Sequence, residues 1–276
     1  NSEGRPDLII ADFVAAPAGV LADRLGIPWI TTIPSPVAIE SRTTTPAYLG
    51  GWKPHQGIFY KWRDALGRQV IRLAKKVGLA LVKKNLDTLE DFKLYREDGT
   101  EAIYSPYSIL ALGMKELEFR DDFPSQLKWA GYRCLSFDRL PQEQKQYFTS
   151  SKKRVLVTCG THLKWEKERM IEFAKLLSQE HPDYVFYVTL GDPNGLENPP
   201  KMLSENLLIF DYLPYSDVLE QMDFAIHHAG AGILMGCIDH GIPSLILPQD
   251  YDQFDNAVRA ELFQVGLVSR KKTDSE

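Results

Sequence analysis

Short apolar runs that alternate with helical segments constrain this chain more than any other feature. Leu8–Ala11 is a run of strand length bounded by turn residues, and APAGVLADRLG follows as a helical segment that Gly26 is placed to close. Ile27–Ile33 is a second apolar run, ended by Pro34 and Pro36. Strand, helix and strand at this spacing form a βαβ unit, which favours a parallel sheet covered by helices. A second series begins at VLVTCG and runs through KWEKERMIEFAKLLSQ, YVFYVTL, NLLIF, FAIHH and SLILP. The expected class is α/β, with open, doubly wound sheets.

Between the two series, residues 136–153 are polar and carry a proline. They divide the chain into an N-terminal domain, 1–140, a linker, 141–153, and a C-terminal domain, 154–276. The 276 residues suit two domains or parts of two, and 44% hydrophobic and 11% aromatic content excludes disorder. A formal charge of −5 argues against a nucleic-acid partner. Cys134, Cys159 and Cys237 have neither disulfide nor zinc spacing, which suits a reducing compartment. With no long apolar span and no signal peptide, the expectation is a soluble cytoplasmic protein.

Residues 34–57 read as a long surface excursion of the kind used for binding loops or lids. Lys61–Lys84 holds eight Lys or Arg and one acid, with Trp62, Leu66, Val70, Leu73, Val77 and Leu81 at three- and four-residue steps. This is a basic amphipathic helix. It has three readings: a solvated face packed on the sheet, a peripheral membrane contact, or part of a lipophilic acceptor site. Trp52, Tyr60 and Trp62 either line an apolar pocket or simply pack.

The most informative stretch is Asp211–Ala257. FAIHH ends in HAGAG, and a helical ILMGCIDHG follows. Glycines at a strand-to-helix junction let N–H groups approach a ligand, and the helix start adds partial positive charge. His228 adds a donor, so the segment is a diphosphate cradle unless His228 is simply a buried, satisfied histidine. Because Gly230 and Gly232 are followed by glycine only at 236, this is not the dinucleotide fingerprint. His227 points to the other face of its strand. Asp252 and Gln253 fall beyond a strand end, where they suit sugar hydroxyls; Asp252 also suits a helix cap. Cys159 and Cys237 read as packing residues.

The order Tyr212-x-Pro214, Val218-Leu219, His228-x-Gly230-x-Gly232, Gly241-Ile-Pro243, Pro248 and Asp252-Gln253 resembles the donor-binding pattern of the family 1 nucleotide-sugar-dependent glycosyltransferases. VLVTCGTH and PDLIIADFVAAPAGVLADRLGIPWIT extend the likeness upstream. The resemblance implies the GT-B fold, two Rossmann-like domains facing across a cleft, here with the N-terminal one incomplete. It implies inverting transfer of a hexose from a UDP- or dTDP-sugar to a hydroxyl of a small, lipophilic acceptor, with no metal and no further cofactor.

By the same resemblance His228, Gly230, Gly232 and Thr161 meet the donor diphosphate, and Tyr212 lies beside the nucleobase. Asp252 and Gln253 hold the sugar. Asp12 matches the acid that orients a catalytic histidine, although a lone Asp at a strand end also serves as a cap. None of the six histidines occupies the family's catalytic position, so the expectation is an internal part of a longer enzyme. Ile233 replaces the family's Ser or Thr, and Gly236 replaces the Glu of plant members. His162 is a weaker candidate on the acceptor side. The rival readings are a nucleotide-sugar epimerase, which would act on a donor alone, and a non-catalytic homologue, which would bind none.

Overall fold

The computed structural model describes residues 4–84, 91–134, 138–161 and 164–270. Its contacts divide the chain into two units, Asn1–Tyr132 and Arg133–Glu276.

In the first unit, β1 (Ile9–Asp12), β2 (Trp29–Ile33), β3 (Ser108–Ala111) and β4 (Leu127–Trp129) form an all-parallel sheet in sequence order. The expected βαβ unit is present. Helix α1 (Ala16–Leu25) ends at Gly26, whose φ of 61° is the left-handed conformation that glycine adopts without a Cβ penalty. Gly19 is required for a different reason, since a Cβ there would lie 2.3 Å from the Trp29 ring. Trp29 is buried, and its indole N–H donates to Asp23 Oδ1 at 2.7 Å. Ile33, Ala38, Ile39, Tyr104, Ile109 and Ala111 make the core beside it.

The basic helix is present as α2 (Ile58–Lys83), but it is turned the other way from a helix that packs by its apolar face. Trp62, Leu66 and Leu73 are 72%, 69% and 64% exposed, whereas Asp64, Gly67 and Ile71 are buried. Electrostatics explains the orientation. Arg72 Nε donates to Glu40 at 3.1 Å, Lys75 pairs with both Glu40 and Glu101, and Arg68 donates to the Thr44 carbonyl at 2.5 Å. Arg63 pairs with Asp64 at 2.6 Å and lies between the rings of Trp52 and Tyr60. Arg63, Arg68, Arg72 and Lys75 are therefore used inward, while Lys61 and Lys76 stay exposed.

The same contacts pin residues 34–57, which are not a loose excursion. Ser35, Val37, Ala38, Ile39, Ser41 and Thr45 are buried, and Asp122 Oδ2 accepts from Ser41 Oγ and the N–H groups of Arg42 and Thr43.

The second unit is a seven-stranded sheet in the order β11-β10-β9-β5-β6-β8-β7. Its strands are β5 (Lys153–Thr158), β6 (Tyr184–Thr189), β7 (Lys201–Ser204), β8 (Leu207–Phe210), β9 (Phe224–His227), β10 (Ser244–Ile246) and β11 (Leu267–Val268). Among the described residues of this sheet, only the β7–β8 pairing is antiparallel. Alternation along the strands sends Leu156, Tyr187 and Ala225 to one core and Val155, Val157, Phe186, Val188 and Ile226 to the other. Helix α3 (Lys167–Glu180) covers the second core through Ala174. Helices α4 (Tyr215–Val218) and α5 (Ala231–Asp239) cover the first through Val218, Ile233 and Cys237. The remaining helix is α6 (Gln253–Leu262). Covered faces of this kind require near-continuous apolar strands, as the sequence has.

The division at 132/133 falls before the expected boundary at 140, and 141–153 is not a bare linker. Residues Gln142–Phe148 form a 3-10 helix whose Phe148 ring stacks on Tyr187 at 4.6 Å, while Gln144 Nε2 donates to the Leu196 and Asn198 carbonyls. Exposed Glu143 and Lys145 gave the segment its polar look; its buried residues hold it to the second unit.

Lys75 keeps Glu40 and Glu101 from facing each other uncompensated, and burial already raises the Glu101 pKa against the opposing effect of Lys75. Lys75→Ala should cost about 2–3 kcal/mol in denaturant unfolding at neutral pH. The loss should shrink as the pH is lowered and Glu101 takes up a proton.

Candidate diphosphate site

Strand β5 is flanked by β6 on one side and β9 on the other, so the strand order reverses at its carboxyl end. Open α/β sheets bind ligands at such a point. The loops there are closed by threonines. Thr158 Oγ1 accepts from the Gly160 N–H at 3.0 Å and pairs with the Tyr215 hydroxyl at 3.0 Å. Thr189 Oγ1, at the end of β6, accepts from Gly191 and Leu213. Tyr215 is half-buried and desolvation raises its phenol pKa, so it stays protonated and serves as a hydrogen-bonding group.

After β9 the chain turns into α5 within three residues. Ala229, fully buried, has φ 68°. The His228 ring lies against two glycines: a Cβ on Gly160 would fall 2.7 Å from it, and one on Gly230 would fall 2.4 Å from Nε2. Gly232 is exposed, with no atom within 4 Å of a built Cβ, so the first turn of α5 is open. A half-exposed imidazole and an open helix start therefore stand side by side. Thr161 is exposed next to Gly160.

The second histidine behaves differently. His227 is 1% exposed, and its Nδ1 accepts from the Ala229 N–H at 3.1 Å. Burial, with His228 beside it, pushes its pKa down to about 3, so it is neutral. Beneath the turn lies a small cavity of about 40 Å³ whose lining includes Thr158, Cys159, His227, His228 and Gln249. The Cys159 thiol there is pushed up to about 11 by burial, which suits a packing role.

Asp252 is half-buried at the start of α6; burial raises its carboxyl above the usual range against the bond it accepts from Asn256 Nδ2 at 3.1 Å. Gln253 is buried, and its Oε1 accepts from the Gln249 and Asp250 N–H groups. Its oxygen is thus spent on the loop, leaving the nitrogen to donate. Tyr212 is half-buried in the segment before α4. Ile233, at the position of the family's hydroxyl, is 2% exposed in the core, and Gly236 is buried in α5.

Asp12 belongs to the first unit, where it is exposed at the end of β1 and its Oδ1 accepts from the Val14 N–H at 3.1 Å. His162 lies outside the described residues. Among the described residues no three His, Cys, Asp or Glu side chains gather as metal ligands. Sequence reasoning missed Tyr215, Gly191 and Asn256. A Cβ on Gly191 would meet the Gly160 carbonyl oxygen at 2.7 Å, and the only sequence signal was a Gly-Asp-Pro turn at a strand end.

Residues 192–276 match the family model of the erythromycin biosynthesis protein CIII-like C-terminal domain. The chain is 24% identical over 98% of its length to 4'-demethylrebeccamycin synthase of Lentzea aerocolonigenes, covering 63% of that protein. It is 25% identical over 98% to oleandomycin glycosyltransferase of Streptomyces antibioticus, covering 57%. Among solved structures it superposes on the glycotransferase of kitacinnamycin with a TM-score of 0.65 at 24% identity, covering 99% of this chain and 66% of that one. It also superposes on spinosyn rhamnosyltransferase SpnG, complexed with thymidine diphosphate, with a TM-score of 0.58 at 19% identity, covering 96% and 60%.

The fold is GT-B. The resemblance to the family 1 glycosyltransferases read from the sequence is borne out, and the chain spans only 53–63% of the length of such relatives. Within the GT-B fold, the seven-stranded unit is the one that holds the His228 turn.

Two outcomes test this geometry. Gly191→Ala should destabilise by more than 2 kcal/mol, because a positive φ is combined with a clash against backbone, whereas Gly230→Ala meets a side chain that can rotate; denaturant midpoints decide. His227 is protonated in the unfolded chain below about 6.5 but not in the folded one. The unfolded state therefore binds the extra proton, and stability falls as pH drops below that value, by about 2 kcal/mol at pH 5. His227→Asn should flatten this fall in thermal unfolding between pH 7 and 5.

Proposed function

We propose that this chain forms the donor-binding part of an inverting, metal-independent glycosyltransferase. It moves a hexose from a UDP- or dTDP-sugar to a hydroxyl of a small, lipophilic acceptor. The observation that carries this reading is the His228 imidazole set against Gly160 and Gly230 beside the open first turn of α5.

The acceptor oxygen attacks the anomeric carbon opposite the leaving nucleoside diphosphate. Charge that develops on the diphosphate is met by His228, by the N–H groups of Gly230 and Gly232 and by the positive end of α5. Thr161 borders the phosphates, and the Tyr212 ring borders the base. The Asp252 carboxylate accepts from sugar hydroxyls, and Gln253 contributes its N–H. Asp12 has a carboxylate oxygen left to orient a histidine base that this sequence does not contain; the coverage of the relatives supports a longer enzyme. Donor and acceptor classes follow the relatives, one of which is an oleandomycin glycosyltransferase.

The exposed apolar residues of α2, flanked by Lys61 and Lys76, support a peripheral membrane contact through 61–84 or a path for a lipophilic acceptor. Cysteines without disulfide spacing accord with a cytoplasmic setting, and no helix among the described residues is long and apolar enough to cross a membrane.

Calorimetry with UDP, dTDP and UDP-glucose tests the reading. At least one diphosphate should bind, and His228→Ala should weaken it by about tenfold, the loss of one charge-assisted hydrogen bond. Asp252→Ala should remove the affinity that the hexose adds while leaving the diphosphate untouched. No binding of any of the three would overturn the donor site and favour a non-catalytic homologue.

A further inference from the structure

We propose that His227 and Asn256 are positioning residues that clamp the backbone of Ala229, and that Asn256 thereby couples the diphosphate turn to the sugar-side carboxylate Asp252. This rests on the donor-site reading above and adds to it.

The argument starts from Ala229. An L-residue with a side chain at φ 68° is held in a conformation that costs on the order of 1–2 kcal/mol, and such a residue persists only where its surroundings over-determine it. Here both of its backbone polar groups are taken by side chains. The N–H donates to His227 Nδ1 at 3.1 Å, and the carbonyl accepts from Asn256 Nδ2 at 3.0 Å. Neither bond belongs to the sheet or to α5.

The two clamping residues are themselves fixed. Each is 1% exposed; His227 ends β9 and Asn256 sits one turn into α6, where its N–H donates to the Asp252 carbonyl. Because Nδ1 accepts, the imidazole proton lies on Nε2, which is buried without a hydrogen-bond partner. The Asn256 carboxamide also donates to Asp252 Oδ2 at 3.1 Å. One side-chain nitrogen therefore touches the turn that aims Gly230 and Gly232 and the carboxylate at the start of α6. A rotation about Ala229 would swing those N–H groups off a phosphate and break the bond to Asn256, the side chain that also holds Asp252. Both ends of the donor site are held to one register by Asn256.

The test uses UDP and UDP-glucose with four single variants and one double variant. Asn256→Ala should weaken UDP by about tenfold and also reduce the extra affinity contributed by the glucose. Asp252→Ala should affect only that extra affinity, and the double variant should lose no more of it than Asp252→Ala alone. His227→Leu should weaken UDP, whereas His227→Asn, whose Oδ1 stands where Nδ1 stood, should restore it. In the ligand-free chain, exchange of the Ala229 amide should speed up at least tenfold in His227→Leu and Asn256→Ala but not in His227→Asn.

Equal behaviour of the two His227 variants, or UDP affinity within twofold of wild type in Asn256→Ala, would overturn the clamp. Failure of the wild-type chain to bind UDP or dTDP would overturn the donor-site reading instead, and the exchange pattern would still decide the clamp.

Discussion

The second unit depends on a change of direction at the end of β9. A buried parallel strand must hand its chain to a helix that lies across the sheet, and here it does so in three residues with an alanine, not a glycine, at the left-handed position. Side chains make that possible: a neutral histidine accepts the turn's N–H and a buried asparagine donates to its carbonyl. Burial makes His227 dependable in this role, since an imidazolium would have no lone pair to offer at Nδ1. The loop after the adjacent strand β5 contributes Gly160, which leaves room for the His228 ring. The two histidines thus differ in place, His227 turned inward as a fixed acceptor and His228 partly exposed against Gly160 and Gly230.

The first unit is organised by charge more than by hydrophobic pattern. A strong apolar stripe on a helix ordinarily marks the face that packs, yet α2 presents Trp62, Leu66 and Leu73 outward and spends Arg68, Arg72 and Lys75 on Thr44, Glu40 and Glu101. Glu40 also accepts from the Tyr95 hydroxyl at 2.7 Å. A carboxylate buried in this way needs cations close by, and α2 is the element that supplies them. The inward face is thereby fixed, and the apolar face is left exposed.

These particulars show what a sequence can disclose. The strands were legible because a two-faced parallel sheet demands apolar runs, and the Gly26 cap because a helix stop at glycine has a local cause. The His228 turn was legible as glycines at a strand-to-helix junction. What could not be read depends on pairs distant in sequence. Nothing near residue 64 says that Glu40 and Glu101 will take the basic face of α2. Nothing near Phe148 says that its ring will stack on Tyr187, so a segment with a polar look passed for a linker. Gln253 is an intermediate case: its place beside Asp252 was legible, but not the use of its oxygen by the 249–250 backbone.

On the proposed donor reading, Asp252 shows how stability and function pull against each other. Its carboxylate is half-buried, no ion pair with it is found among the described residues, and the Asn256 carboxamide offsets only part of the desolvation that raises its pKa. A group selected for stability alone would be neutral here. A hexose offers several hydroxyl donors, so a bound donor sugar would return to the carboxylate the hydrogen bonds that burial removed from it. On that proposed reading the hexose would offset that desolvation, and discrimination would be steep: a ligand without hydroxyls at that end leaves the carboxylate as poorly solvated as before. On the same proposed donor reading the half-buried, under-bonded acid is a specificity element, and the Asn256 carboxamide holds it in place.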